Sequence, residues 1–160
     1  MSERIPLDNI GADLMEPLVG LRTALARATL DKKLIDLIFL RVSQLNGCVY
    51  CIDSHAHDLR KAGESERRIN ALIVWRETEF FDASERAALA WAEALTHVSA
   101  THAPDEVYRP LLDVFTERQI VELTFAIGLM NLFNRIGIGL RKALPNSTAK
   151  AWREEQSLHA

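Results

Sequence analysis

The chain has 160 residues, 48% hydrophobic and 26% charged, the proportions of a globular protein rather than a disordered or fibrous one. Lys and Arg number 19 against 22 Asp and Glu, for a formal charge of −3, and no polybasic stretch offers itself to a phosphate backbone or an anionic membrane, which argues against nucleic-acid and membrane partners. No uninterrupted apolar run exceeds six residues, as at Ala87–Ala92 or Phe125–Met130, against the roughly 20 of a spanning helix, and the acidic opening Met-Ser-Glu-Arg-Ile-Pro-Leu-Asp is unlike a signal peptide, so a cytoplasmic location is expected.

Ala, Leu, Glu and Arg dominate, and no stretch shows strand alternation, so the sequence predicts an all-α fold in a single domain over 1–160 with a polar tail at 145–160. From Leu34 the spacing of Leu34, Leu37, Ile38 and Leu45 predicts a helix buried along one face and ended by Asn46-Gly47. The next helix is expected from Cys48 to Ala62, with Gly63 in the left-handed turn beyond it. Ser65 caps a predicted segment through Trp75. Asp82-Ala83-Ser84-Glu85 has capping-box spacing and opens an Ala-rich helix reaching about Val98. Ala103-Pro104 fits a start with proline at the first helical position, and Pro110 is expected to bend or restart that helix. Thr116-Glu117-Arg118-Gln119 is a second capping box, opening the last long helix toward Gly137 or Gly139.

The chain's two cysteines stand together as Cys48-Val49-Tyr50-Cys51, with His55 four residues on. In a reducing compartment a permanent disulfide is disfavoured, so such a pair points to redox catalysis or metal binding. On one helix, residues four apart are neighbours, which places His55 beside Cys51. An irregular first turn after Gly47 would bring Cys48 and Cys51 close enough to bond and part. Both thiols lie near the positive helix end, where thiolate is favoured. This placement makes either sulfur a candidate for attack.

The run from Asp36 through Asn46-Gly47-Cys48-Val49-Tyr50-Cys51 to His55 closely resembles the core motif of the AhpD-like alkylhydroperoxidases, within the carboxymuconolactone decarboxylase superfamily. More loosely the resemblance spans about residues 15–142, and Asn131-Leu132-Phe133-Asn134-Arg135 looks like the family's later helix. It implies an AhpD-like helical bundle that reduces organic hydroperoxides or hydrogen peroxide with no cofactor and no metal. It further implies that Cys51 meets the peroxide, Cys48 resolves the sulfenic acid, and His55 relays protons with the acid twelve residues before the first cysteine. That acid is Asp36 here, one methylene shorter than the family's glutamate, so the relay needs a closer backbone or an added water. Tyr50 stands where one branch carries histidine, and is expected to wall the substrate pocket. A lipoyl-bearing or other dithiol protein as reductant, and a homo-oligomer built as a trimer or hexamer, are implied in the same way.

Plainer readings compete with these. The cysteines could be small core residues, or could bind zinc with His55 and His57, although His57 points elsewhere on the helix. Asp36 could pair with Lys32 one turn earlier. Asn131, Asn134 and Arg135 are expected to tie helices together, His57, His97, His102 and His159 to lie at the surface or in packing, and Trp75, Trp91 and Trp152 to serve the core or a subunit contact. Other functional classes are a carboxymuconolactone decarboxylase-like enzyme working without the cysteine pair, a general disulfide reductase, and a non-enzymatic redox-sensing or zinc-binding helical module.

Overall fold

A computed structural model describes residues 3–144, which are helical with no strand among them. The polar tail, with Trp152 and His159, lies outside the described residues. The elements are α1 (Leu7–Ile10), α2 (Ala12–Leu25), α3 (Lys32–Asn46), α4 (Val49–Lys61), α5 (Glu66–Ala71), a 3-10 segment (Leu72–Glu77), α6 (Ala83–Thr96), α7 (Val98–Thr101), α8 (Asp105–Leu112) and α9 (Glu117–Leu140).

Helix α3 is the axis of the bundle, packed against α4, α6 and α9. The sequence pattern predicts one buried face, yet every residue from Leu34 to Ser43 is buried. Its polar members are therefore matched inside the protein, as burial demands. The Arg41 guanidinium donates to Glu93 Oε1 through Nε at 3.0 Å and Nη2 at 2.7 Å, and Trp75 Nε1 donates to the same oxygen at 2.8 Å. Ser43 Oγ donates to the Phe39 carbonyl at 2.7 Å. Small residues Ala87, Ala88 and Ala92 on α6 are buried, which lets its backbone approach its neighbours closely.

Local signals place most boundaries. Asp31 caps α3 through Lys33 N and Leu34 N, and both expected capping boxes form, Asp82 with Glu85 and Thr116 with Gln119. Several boundaries differ from the sequence reading, among them α4, which runs from Val49 to Lys61 rather than from Cys48 to Ala62. The Ser65 segment is α-helical only to Ala71 and continues as a 3-10 turn, because Val74 sits at φ −122° and ψ 34°. Helix α6 stops at Thr96, two residues before Val98. Pro104 is the residue before α8 rather than its first, and Pro110 lies within α8 without ending it. Helix α9 passes both Gly137 and Gly139 to end at Leu140.

By length and composition alone α9 would be apolar enough to cross a bilayer, and here it packs against α2, α3, α4 and α6. It carries three buried polar residues, each hydrogen-bonded within the protein. Glu122 accepts from Thr29 N, Thr29 Oγ1 and Leu30 N, pinning the α2–α3 connection. Asn46 Nδ2 at the end of α3 donates to both Asn131 Oδ1 and Asn134 Oδ1 at 3.0 Å, and Asn134 Nδ2 donates to Ser43 Oγ at 3.1 Å. Asn131 Nδ2 reaches Thr96 Oγ1 at the end of α6, and Arg135 Nη1 bonds Asn131. These residues tie helices together as the sequence suggests.

Asn134 is fully buried, so Asn134→Ala leaves the Asn46 amide and the Ser43 hydroxyl short of a partner. The expected loss is about 3 kcal/mol of unfolding free energy, read by urea denaturation. A loss within about 0.5 kcal/mol, typical of a surface change, would show that this hub holds little.

Candidate active site

The site begins with the turn between α3 and α4. Gly47 takes the left-handed conformation, φ 74° and ψ 31°, and its N–H and that of Cys48 both donate to the Ser43 carbonyl, at 2.9 and 3.1 Å. A Cβ at that φ would be strained, which is why glycine stands there. The chain then turns into α4 with Cys48 as its cap rather than its first residue, at φ −84° and ψ 98°. The Cys48 sulfur accepts from the Cys51 N–H at 3.4 Å.

This extended cap is the irregular turn that the cysteine spacing requires. It leaves the Cα atoms 5.4 Å apart and the two sulfurs joined as a disulfide. Such a separation lies within the usual range for a disulfide. Cys48 is 2% exposed and Cys51 7%. Cys51 lines a cavity of about 170 Å³ together with His55, Tyr50, Ser54 and Arg22, with Met15, Val19, Met130 and Phe133 as apolar wall. Tyr50 stands at this wall, half-buried, with Lys142 Nζ 4.8 Å from its ring centre.

The ring of His55 is buried and rests against Phe39, centroids 5.2 Å apart. Burial, reinforced by the Arg22 guanidinium and opposed by the Asp58 carboxylate, lowers its pKa to about 4. The imidazole is therefore neutral at pH 7. Its Nδ1 is 3.9 Å from Asp58 Oδ2 and has no hydrogen-bond partner among the described residues. Asp36 is buried beside it, and ligand atoms of Asp36, His55 and Asp58 all lie within 4.8 Å of one another. The plain pairing is also present, since Lys32 Nζ donates to Asp36 Oδ2 at 2.6 Å.

The structure thus brings Tyr50, Cys51 and His55 to one cavity, with Cys48 bonded to Cys51 and Asp36 beside His55. His57 is exposed and outside the cluster, His97 and His102 are exposed, and Trp75 and Trp91 are buried in the core. Three residues enter that sequence reasoning missed. Asp58 follows His55 by one helical turn, a spacing that could have been read from the chain. Arg22 comes from α2 and meets Asp58 Oδ2 at 3.9 Å. Gly137, read from sequence as a helix end, lies inside α9, where a Cβ would stand 3.3 Å from the Cys48 sulfur and 4.0 Å from that of Cys51. Neither Arg22 nor Gly137 leaves a signal in local pattern.

Comparison with known proteins agrees with this arrangement. The family model for the carboxymuconolactone decarboxylase family matches residues 12–94. The uncharacterized protein YdfG of Bacillus subtilis is 36% identical over 88% of this chain and 95% of its own length. The solved structure of a protein of unknown function from Agrobacterium tumefaciens, which carries the provisional name antioxidant defence protein AhpD, superposes with a TM-score of 0.87 at 36% identity, covering 90% of this chain and 99% of that one. The alkyl hydroperoxide reductase AhpD of Coxiella burnetii is 47% identical over 49 residues, 31% of this chain and 28% of that protein. The bundle is accordingly an AhpD-like helical fold.

Two outcomes follow from the geometry. Gly137→Val sets a branched side chain against the sulfurs, so the pair should form its disulfide less readily. In a glutathione redox titration, the midpoint should shift toward the reduced form. An unchanged midpoint would show that α9 does not crowd the pair. For His55, whose pKa falls from 6.5 to about 4 on folding, the unfolded chain binds more protons between those values, so stability rises with pH through that window. The groups facing the ring are Arg22, Lys32, Asp36 and Asp58. The shift corresponds to about 3 kcal/mol lost between pH 7 and pH 4. Urea denaturation across that range should give a steeper slope for the wild type than for His55→Asn, and equal slopes would contradict the assignment.

Proposed function

The chain belongs to the carboxymuconolactone decarboxylase family, and from that membership and the Cys48–Cys51 site we propose that it is a cytoplasmic thiol peroxidase. Its substrates are small organic hydroperoxides or hydrogen peroxide. The observation that carries this reading is a bonded cysteine pair at a helix N-terminus, of which Cys51 lines a cavity together with a neutral imidazole.

In the reduced state, the helix N-terminus favours thiolate at both positions. Exposure selects between them, since Cys51 lines the cavity and Cys48 lies behind it. The Cys51 thiol yields its proton to His55, and the thiolate attacks one peroxide oxygen. The O–O bond breaks, Cys51 becomes a sulfenic acid, and the leaving alkoxide takes a proton from the imidazolium to depart as the alcohol. Cys48 then attacks the Cys51 sulfur, releasing water and forming the disulfide seen here. A dithiol reductant, most simply one carried on a lipoyl-bearing protein, exchanges with that disulfide and leaves oxidised.

Asp36 supports His55 as proton acceptor at one remove. Their separation, within 4.8 Å, suits a single bridging water, which answers the shorter reach of aspartate. Tyr50 and the apolar wall hold the organic portion of the substrate. Val121, Phe125 and Leu132, apolar and exposed along α9, support the homo-oligomeric, trimer-based assembly as part of the same reading.

Steady-state turnover of cumene hydroperoxide with dihydrolipoamide tests the proposal. Cys51→Ser and Cys48→Ser should each abolish dihydrolipoamide-dependent turnover, and His55→Gln should lower it about 100-fold. Equal rates for the wild type and both cysteine variants would overturn it.

A further inference from the structure

His55 and Asp58 project from the same face of α4 one turn apart, and Asp36 faces them from α3, its packed neighbour. A histidine and a carboxylate at i,i+3 on one helix, completed by a carboxylate from a facing helix, is how helical bundles assemble metal centres. The His55 side chain is 7% exposed, and its Nδ1, directed at the Asp58 carboxylate, has no hydrogen-bond partner among the described residues. A buried imidazole nitrogen without a partner, set beside two carboxylates, completes a group of three potential metal-donor atoms.

We propose that Asp36, His55 and Asp58 form a binding site for one divalent transition-metal ion of the zinc type, with its remaining position open to water. One imidazole and two carboxylates suit zinc and its nitrogen- and oxygen-seeking neighbours, and exclude the thiolate ligation expected of a zinc site built on the cysteines. At metal–ligand distances of about 2.0–2.2 Å the donor atoms must draw in from their present separations of up to 4.8 Å. Asp58, one-third exposed, has the freedom to do so.

Two cations already answer the negative charge. Lys32 Nζ sits 2.6 Å from Asp36 Oδ2 and Arg22 Nη2 3.9 Å from Asp58 Oδ2. Both side chains are more than half exposed, so both can swing to solvent as an ion enters, and each competes with it. The site uses no sulfur and is independent of the peroxidase reading. If that reading holds, the ion takes the lone pair and the carboxylate the proton relay needs, so the loaded protein is inhibited.

The test uses the whole chain in its disulfide form, where the thiols cannot ligate. Calorimetric titration with Zn²⁺ should give one ion per chain, and Co²⁺ should give visible d–d bands with no sulfur charge-transfer band. Asp58→Asn should weaken Zn²⁺ binding about tenfold or more. Lys32→Gln, a change at an exposed side chain that keeps the fold, should tighten it by removing a competing charge. The absence of stoichiometric binding, or an affinity that neither variant alters, overturns the proposal.

Discussion

Everything at this site depends on the chain reversing within a single residue between the buried helix α3 and the half-exposed helix α4. Gly47 makes that reversal by adopting a left-handed conformation, and the helix before it cannot drift, because Asn46 is held by Asn131 and Asn134 of α9. With the end of α3 fixed, Cys48 falls at the cap of α4 in an extended conformation, and its sulfur turns back onto the first helical turn. The cysteine pair is thus a product of helix termination. A continuous helix through this region would separate the sulfurs and leave no helix N-terminus beside them.

The second constraint is electrostatic. Burial keeps the His55 imidazole neutral, and the Arg22 guanidinium pushes in the same direction while the Asp58 carboxylate pushes back. A neutral imidazole offers a lone pair, which a metal ion would seek. The proposed proton transfer and the proposed metal site would therefore draw on one group of atoms, for which a proton, the Lys32 and Arg22 cations and a divalent ion would compete. The α9 glycine acts on the pair itself. By withholding a side chain at Gly137, it allows the longest helix to pass close over both sulfurs.

Features written in a few adjacent residues were legible in the sequence. The two capping boxes, the Ser65 cap, the left-handed glycines at 47 and 63 and the all-α class all follow from local chemistry. The cysteines, His55 and Asp36 were legible because a short motif carries them, and the structure brings them together. What local pattern does not carry is burial from several directions at once. Helix α3 reads as one-sided because Asp36, Arg41 and Ser43 interrupt its apolar residues, and only their partners on the same and other helices make all-round burial possible. Helix α2 is mostly exposed, and nothing local marks its Arg22 as a partner of Asp58, 36 positions on. Gly137 looks like a stop signal until α9 is seen lying across the disulfide.

The central claim is that Cys51 attacks first and Cys48 closes the disulfide upon it. Mass spectrometry of the reduced protein after one equivalent of hydroperoxide, with and without a sulfenic-acid trap, addresses this most directly. The account predicts loss of a pair of hydrogens through a Cys48–Cys51 linkage, and a trapped adduct on Cys51 when the reagent is present. An adduct on Cys48, or a mass unchanged by peroxide, would contradict it.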